Sequence, residues 1–169
     1  MSKSKIVGIM ALIVFAMGMV LVGYAMAEER GNVAVREVFY APTIHILKVP
    51  DVEGHTIHLW ESKGIGFNEK WGAYLITSTY TMDLIKGEGP VQGYNQYTYP
   101  DGSTITNKFE CKLMGGGRSV SGASSGEGTG TYIKGTGKFE GIQGGGTFKV
   151  YIPGPGQYYS DGEYEYTLP

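Results

Sequence analysis

The glycine-rich segment near the end of the chain most constrains what it can fold into. Residues 126–152 read GEGTGTYIKGTGKFEGIQGGGTFKVYI, with glycines set among Thr, Tyr, Ile and Phe. Glycine allows backbone conformations that side chains forbid, and within a strand it marks bulges, bends and close backbone approach. The residues between these glycines favour strands. We therefore predict an antiparallel sheet that is bent strongly enough to close into a barrel.

Strand-like runs recur along the chain before and after this segment. Two of them, residues 33–40 and 43–49, are separated by Ala41 and Pro42. Alternation is clearest in residues 72–86 and 103–113, where one face is apolar and the other carries Thr, Lys and acidic residues. The runs number roughly eight, and no amphipathic helix is evident. This pattern predicts an all-β protein, a single antiparallel, roughly eight-stranded closed barrel.

The first residues have the order of a secretory signal peptide. Lys3 and Lys5 precede an apolar run over residues 6–22, and Ala25-Met26-Ala27 is a small-x-small cleavage site. The run is shorter than the roughly 20 residues that span a membrane. We predict a signal peptide over residues 1–27, a barrel domain over residues 28–169, and export to the periplasm or the cell exterior. An uncleaved membrane anchor is the alternative.

Charge and cysteine content exclude several partner classes and restrict how the fold is stabilised. The formal net charge is −2 and no basic block occurs, so neither nucleic acid nor an anionic membrane surface is an expected partner. Cys111 is the only cysteine, so no internal disulfide forms. Nucleotide-binding, metalloprotease and hydrolase motifs are absent, and we expect no cofactor.

Residues 135–148, GTGKFEGIQGGGTF, resemble the G-T-G-x-[FY]-x-G-[IA]-x-G-x-G-T segment of the allene oxide cyclase and dirigent barrels. The preceding residues 128–132, GTGTY, are similar to the strand that leads into it there. The resemblance implies a calycin-like eight-stranded barrel that binds or steers small, mostly apolar molecules in its interior. The motif is architectural, with Phe139 and the glycines shaping a corner of the barrel. It therefore transfers no catalytic residue to this chain.

Tyrosines on inward-facing positions suggest a ligand cavity. A buried hydroxyl needs a partner, which is another protein group, water or a ligand. An apolar wall with a few polar tips is typical of small-molecule pockets, but the same rings also fill a packed barrel. The candidate ligand-binding residues on these faces are Tyr74, Tyr80, Asn95, Tyr97, Tyr99, Asn107, Tyr164 and Tyr166.

The strand over residues 55–62 is ambiguous in its orientation. His58 and Trp60 share one face and are further candidates to line the cavity, but Ile57 and Leu59 compete for the inward direction. Because residues 55 and 58 point to opposite faces of a strand, we expect no metal site among the histidines.

Few residues suggest catalysis. An acid–base mechanism needs an interior carboxylate, and the candidates are Glu61, in the ambiguous strand, and Asp83, on the threonine face. Cys111 lies on the apolar face of its strand, which favours a packing role over a nucleophilic one.

We therefore expect an exported barrel that binds a small apolar or aromatic molecule in a tyrosine-lined cavity. One alternative is a cofactor-independent cyclase or isomerase of the allene oxide cyclase type. Another is a fully packed structural or interaction barrel. Association into a homo-oligomer is left open by the sequence.

Overall fold

Eight antiparallel strands form a closed barrel. The computed structural model describes residues 28–115, 124–154 and 156–169. Each strand pairs with its neighbours in the chain, and β8 pairs with β1, which closes the barrel and confirms the predicted fold class. The strands are β1 Glu29–Lys48, β2 His55–Asn68, β3 Gly72–Ile85, β4 Gly89–Thr98, β5 Thr104–Met114, β6 Ser124–Thr136, β7 Gln143–Gly154 and β8 Gln157–Leu168.

β1 is longer than the sequence pattern indicated, because the two predicted runs are one strand. The register on β2 shifts between Tyr40 and Thr43, so Ala41 and Pro42 lie in a β-bulge, where a strand tolerates proline. Pairing of β1 with β8 ends at Tyr40, whereas pairing with β2 continues to Lys48. The β1–β2 hairpin therefore extends beyond its neighbour on one side.

Side chains alternate between the interior and the surface as predicted for β3 and β5. The structure also settles the orientation of β2. Trp60 and Ser62 point inward, whereas Ile57 and Leu59 are 41% and 42% exposed on the outer face. Apolar content therefore does not identify the inward face of β2, because its outward positions are as hydrophobic as its inward ones.

The glycine-rich segment builds a tight corner between β6 and β7. A single 3₁₀ turn, Gly137–Phe139, connects the two strands, and the Phe139 side chain is fully buried. Gly137 adopts a positive φ of 61°, which glycine tolerates best. A Cβ atom on Gly135 would lie 1.8 Å from the carbonyl oxygen of Phe139. Close backbone approach therefore explains why the motif needs glycine here.

The barrel interior contains two core clusters, one toward each end. The first, which we call the tyrosine half, lies toward the β2–β3, β4–β5 and β6–β7 connections, and Trp71 packs edge-on against its Tyr99, Phe139 and Tyr166 rings. Its buried members are Val33, Phe39, Tyr74, Ile76, Tyr97, Tyr99, Ile105, Tyr132, Phe139, Ile142, Tyr164, Tyr166 and Leu168. The second cluster comprises Trp60, Tyr80, Met82, Leu84, Val91, Phe109, Cys111, Leu113 and Val150.

Two segments singled out in the sequence fall wholly or largely outside the described residues. These are the predicted signal peptide, residues 1–27, and most of the glycine- and serine-rich connector, residues 115–125. Ser124 and Ser125 belong to β6, where they pair with Ile152 and Tyr151. Within the described residues, no helix has the length and apolar character needed to cross a membrane.

Candidate functional site

A cavity of about 60 Å³ lies inside the barrel, mainly within the second core cluster. We call this end the cavity half. The polar groups on the cavity wall are Glu37, Asn95, Ser160 and the hydroxyl-bearing rings of Tyr80, Tyr158 and Tyr164. The remaining wall consists of Phe39, Met82, Val91, Phe109, Cys111, Leu113, Phe148, Val150 and Ile152. The cavity is therefore mainly apolar, with a few polar atoms.

Glu37 supplies the ionisable acid of the cavity wall. Its side chain is 5% exposed, and its carboxyl oxygens accept hydrogen bonds from the Tyr74 hydroxyl at 3.0 Å and the Ser160 hydroxyl at 2.9 Å. Burial raises the pKa of Glu37 to about 7, against the opposing effect of these two hydrogen bonds. This carboxyl therefore titrates near neutrality, which is the range useful for proton transfer.

The sequence analysis missed Glu37, although a signal for it was present. In β1, inward positions alternate as Val33, Val35, Glu37 and Phe39. Strict alternation therefore places the carboxylate on the core face. The signal is weak because Val38 and Tyr40, which are 62% and 54% exposed, make the outer face equally apolar.

The two carboxylates proposed instead, Glu61 and Asp83, face outward and are exposed. Asp83 contacts Nε2 of His55 at 2.7 Å, while Nδ1 of the same ring lies 2.6 Å from Asp51. These two carboxylates raise the pKa of His55 on the outside of the barrel. Neither Glu61 nor Asp83 belongs to the interior site.

Several tyrosine hydroxyls in the tyrosine half are paired with other protein groups. Asn107, which has no exposed surface, donates to the Tyr97 hydroxyl at 3.1 Å and to that of Tyr164 at 3.5 Å. Asn95 also donates to Tyr97, at 3.2 Å. Tyr99 accepts from Asn68 at 3.5 Å. This half of the interior is therefore a packed hydrogen-bonded network, in which the Oδ1 atom of Asn107 has no partner among the described residues.

Three of the predicted ligand-binding residues, Tyr80, Asn95 and Tyr164, lie on the cavity wall. Tyr80 reaches it from the cavity half, with its hydroxyl 3.1 Å from that of Ser62. Five others belong to the tyrosine half or its network and do not line this cavity: Tyr74, Tyr97, Tyr99, Asn107 and Tyr166. Their role in binding stays a prediction, with Tyr74 connected to the cavity through Glu37.

His58 and Trp60 lie beside the cavity rather than on its wall. Their rings stack with centroids 6.2 Å apart, and Trp60 packs against Tyr80 at 5.9 Å. Burial lowers the pKa of His58, which favours its neutral form. The Nδ1 atom of His58 and the indole N–H of Trp60 have no hydrogen-bond partner among the residues described.

Cys111 lies on the cavity wall as a buried thiol. Burial raises its pKa to about 11, so the neutral thiol dominates at physiological pH and the thiolate nucleophile is scarce. In the described part of the chain, no group of three or more His, Cys, Asp or Glu side chains is arranged to hold a metal ion.

Two wider grooves, of about 1330 and 730 Å³, lie on the outer surface of the barrel. Mainly outward-facing side chains line them, including Arg36, Lys149 and Asp161 in the larger one, and none of the predicted ligand-binding residues does so. The interior cavity is the better candidate site because it combines apolar walls with a buried acid.

Comparisons with known proteins bear on the fold. No protein-family model matches the sequence, and a search of curated proteins gave no match. The structure is similar to a solved structure of the pterocarpan synthase dirigent protein GePTS1, with a TM-score of 0.51 and 14% sequence identity. The similarity covers 86% of this chain and 88% of that one. At this identity, the likeness shows that this chain has a dirigent-like β-barrel fold.

Proposed function

We propose that this protein binds a compact, mainly apolar molecule in the cavity half of its barrel, without covalent chemistry. The observation that carries the proposal is an apolar cavity with one buried carboxyl group on its wall. Such a site gains affinity from apolar burial and orientation from its few polar atoms. Export from the cytoplasm, based on residues 1–27, remains part of the proposal.

The size of the cavity restricts the ligand. A volume of about 60 Å³ corresponds to about four to six water-sized positions. Pockets for drug-sized ligands hold roughly 300–1,000 Å³. The part of the ligand that enters the barrel therefore has only a few non-hydrogen atoms, unless wall side chains such as Met82 and Ile152 move aside.

A matched pair of variants tests this proposal. Val91 lines the cavity and is 6% exposed, whereas Val33 is 5% exposed in the tyrosine half. A thermal-shift screen with short-chain fatty acids, monoterpenoids and phenolics should raise the melting temperature for at least one compact compound. For that compound, Val91→Ile should weaken binding by about fourfold, the equivalent of one methylene group. Val33→Ile should leave the affinity unchanged.

Either of two results would count against binding in the cavity. One is the absence of any melting-temperature rise across the screen. The other is an equal loss of affinity in Val91→Ile and Val33→Ile, because a site confined to the cavity half discriminates between the two positions.

Glu37 favours a second candidate function, that of a cofactor-independent isomerase or cyclase. A carboxyl with a pKa of about 7 can accept or donate a proton at neutral pH. Its anchoring by Tyr74 and Ser160 fixes its position at the cavity. A substrate enclosed by the apolar wall would gain from orientation and from exclusion of water.

Deuterium exchange tests the second candidate without knowledge of the substrate. Cyclopentanone in D₂O should gain deuterium beside its carbonyl faster with the wild-type protein than with Glu37→Gln, since a general base contributes roughly 10²–10⁴-fold to such a step. Equal rates with the two proteins would reject Glu37 as a base for this class of proton transfer.

A further inference from the structure

The Glu37 carboxylate lacks a cationic partner. Among the residues that the structure describes, the cavity wall contains this one acid and no Lys, Arg or His side chain. Its two contacts come from neutral hydroxyl groups, those of Tyr74 and Ser160. Both donate to the carboxyl oxygens, an arrangement suited to a carboxylate anion. The interior thus provides hydrogen bonds for an anion but, among the described residues, no charge that balances it.

An unbalanced carboxylate in an apolar interior is costly, so it takes up either a proton or a cation. The aromatic walls favour a cation. Phe39 and Tyr158 stack with centroids 4.5 Å apart, and Tyr80 packs edge-on against Tyr158 at 6.2 Å. All three rings line the cavity, and the faces of aromatic rings attract organic cations.

We propose that the ligand of this cavity is a small organic ammonium ion, whose nitrogen contacts Glu37 and whose alkyl group packs against the apolar wall. This inference rests on the proposed binding function and names its ligand class. The volume of about 60 Å³ selects a primary amine of about four to six non-hydrogen atoms. Isobutylamine is a suitable probe, and isobutanol is a neutral probe of nearly the same shape.

The pH dependence of binding distinguishes the ammonium ion from a neutral ligand. An ammonium ion needs ionised Glu37, so its affinity falls as the pH drops below about 7. A neutral hydrogen-bond acceptor prefers the protonated acid, so its affinity falls as the pH rises. The other titratable groups around Glu37 and its cavity are tyrosines and the Cys111 thiol on β5. Burial raises the pKa of each, so they stay neutral throughout. The tyrosines are Tyr74 and Tyr80 on β3, Tyr97 on β4, Tyr99 directly after β4, Tyr132 on β6, and Tyr158 and Tyr164 on β8.

The test is a calorimetric or NMR titration of the full mature protein with isobutylamine and isobutanol at about pH 8.5 and about pH 5.5. At the higher pH, isobutylamine should bind at least about tenfold more tightly than isobutanol, as expected for a hydrogen bond to a charged group. At the lower pH, its affinity should fall by about thirtyfold, since Glu37 is then mostly protonated. Glu37→Gln should reduce the amine to the affinity of the alcohol.

If the Glu37→Gln variant fails to fold, the pH dependence of amine binding to the wild-type protein is sufficient to test the inference. Equal binding of the two probes, or amine affinity that rises as the pH falls, would overturn the ammonium inference. Binding of isobutanol in those cases would leave the proposed function intact. Failure of both probes, together with a negative apolar screen, would overturn both proposals.

Discussion

The two halves of the barrel share one sheet but differ in how their interiors are filled. In the tyrosine half, Trp71 and Phe139 close the end, and Asn107 donates hydrogen bonds to the hydroxyls of Tyr97 and Tyr164. In the cavity half, aliphatic, sulphur and aromatic side chains leave about 60 Å³ unfilled. Glu37 lies where the two halves meet, hydrogen-bonded to the tyrosine half through Tyr74.

An inward-facing tyrosine therefore does not by itself indicate a ligand site. Where partners such as Asn68, Asn95 and Asn107 are within reach, tyrosine hydroxyls are satisfied within the protein and the rings serve as packing. Glu37 differs from these tyrosines because, among the described residues of the cavity wall, no cationic side chain balances its charge. We infer that the tyrosine half mainly stabilises the fold and that the cavity half holds the proposed ligand.

The largest expected loss of stability comes from removing the aromatic ring that closes the tyrosine half. Phe139→Ala should reduce the free energy of unfolding by about 3–5 kcal/mol, because Phe139 is fully buried and packs against Trp71 and Tyr99. Phe148→Ala, which alters a half-buried ring beside the cavity, should cost less than half as much. Urea denaturation measures both, and equal losses would contradict the contrast between the halves.

Glu37 should make stability depend on pH. Its pKa rises from 4.5 to about 7 on folding, so the folded protein binds the proton more tightly than the unfolded chain does. The resulting stabilisation is fully present below about pH 4.5 and is lost as the pH rises through about 7, a change of about 3 kcal/mol.

The Glu37→Gln variant isolates this contribution from that of other groups, such as His55. Its free energy of unfolding, measured by urea titration between about pH 4.5 and pH 8, should lack the fall assigned to Glu37. Parallel pH profiles for the wild type and the variant would show that Glu37 is not the titrating interior group.

The matched valines compare packing in the two halves directly. Val33→Ile adds a methyl group to the core cluster of the tyrosine half and should destabilise the protein by about 1–3 kcal/mol. Val91→Ile adds it beside the cavity and should stabilise the protein by up to about 1 kcal/mol. Thermal or urea denaturation would measure the difference. Similar destabilisation by both substitutions would mean that the cavity half is as tightly packed as the other.

The smallest change in stability is expected from a substitution on the outer surface of the barrel. Arg36 and Asp161 form an exposed ion pair across β1 and β8, with Nε and Oδ1 separated by 2.8 Å. Because solvent screens such pairs, Asp161→Asn should cause only a small loss of stability, in contrast to the effect expected for the buried Glu37 next to Arg36. A larger loss in urea titrations would show that outer-surface charges help to hold the barrel closed.

The sequence predicted the barrel and much of its strand orientation because the alternation in β3 and β5 is unambiguous. Ile76 and Met82 face the core, while Thr77 and Thr81 face solvent. The sequence pattern predicted two strands, separated by Ala41 and Pro42, where the structure has the single strand β1. Proline usually interrupts strand pairing, but a β-bulge accommodates Pro42 here.

The site was less predictable because it depends on contacts between distant strands. Glu37 is held by β3 and β8, through Tyr74 and Ser160, and no local pattern indicates that convergence. Tyr80 and Tyr97 are both inward-facing, yet only Tyr80 lines the cavity. Sequence periodicity gives the face of a strand but not whether the space in front of that face is filled.

The most direct test of the divided interior is a methyl NMR titration of the protein with isobutylamine and, separately, isobutanol. Saturable shift changes are expected at the methyl groups of Met82, Leu113 and Ile152, which line the cavity. The methyl groups of Ile76, Ile105 and Ile142 in the tyrosine half should keep their positions. Shift changes centred on the tyrosine half, or confined to outward-facing methyls such as those of Ile65 and Leu75, would contradict it.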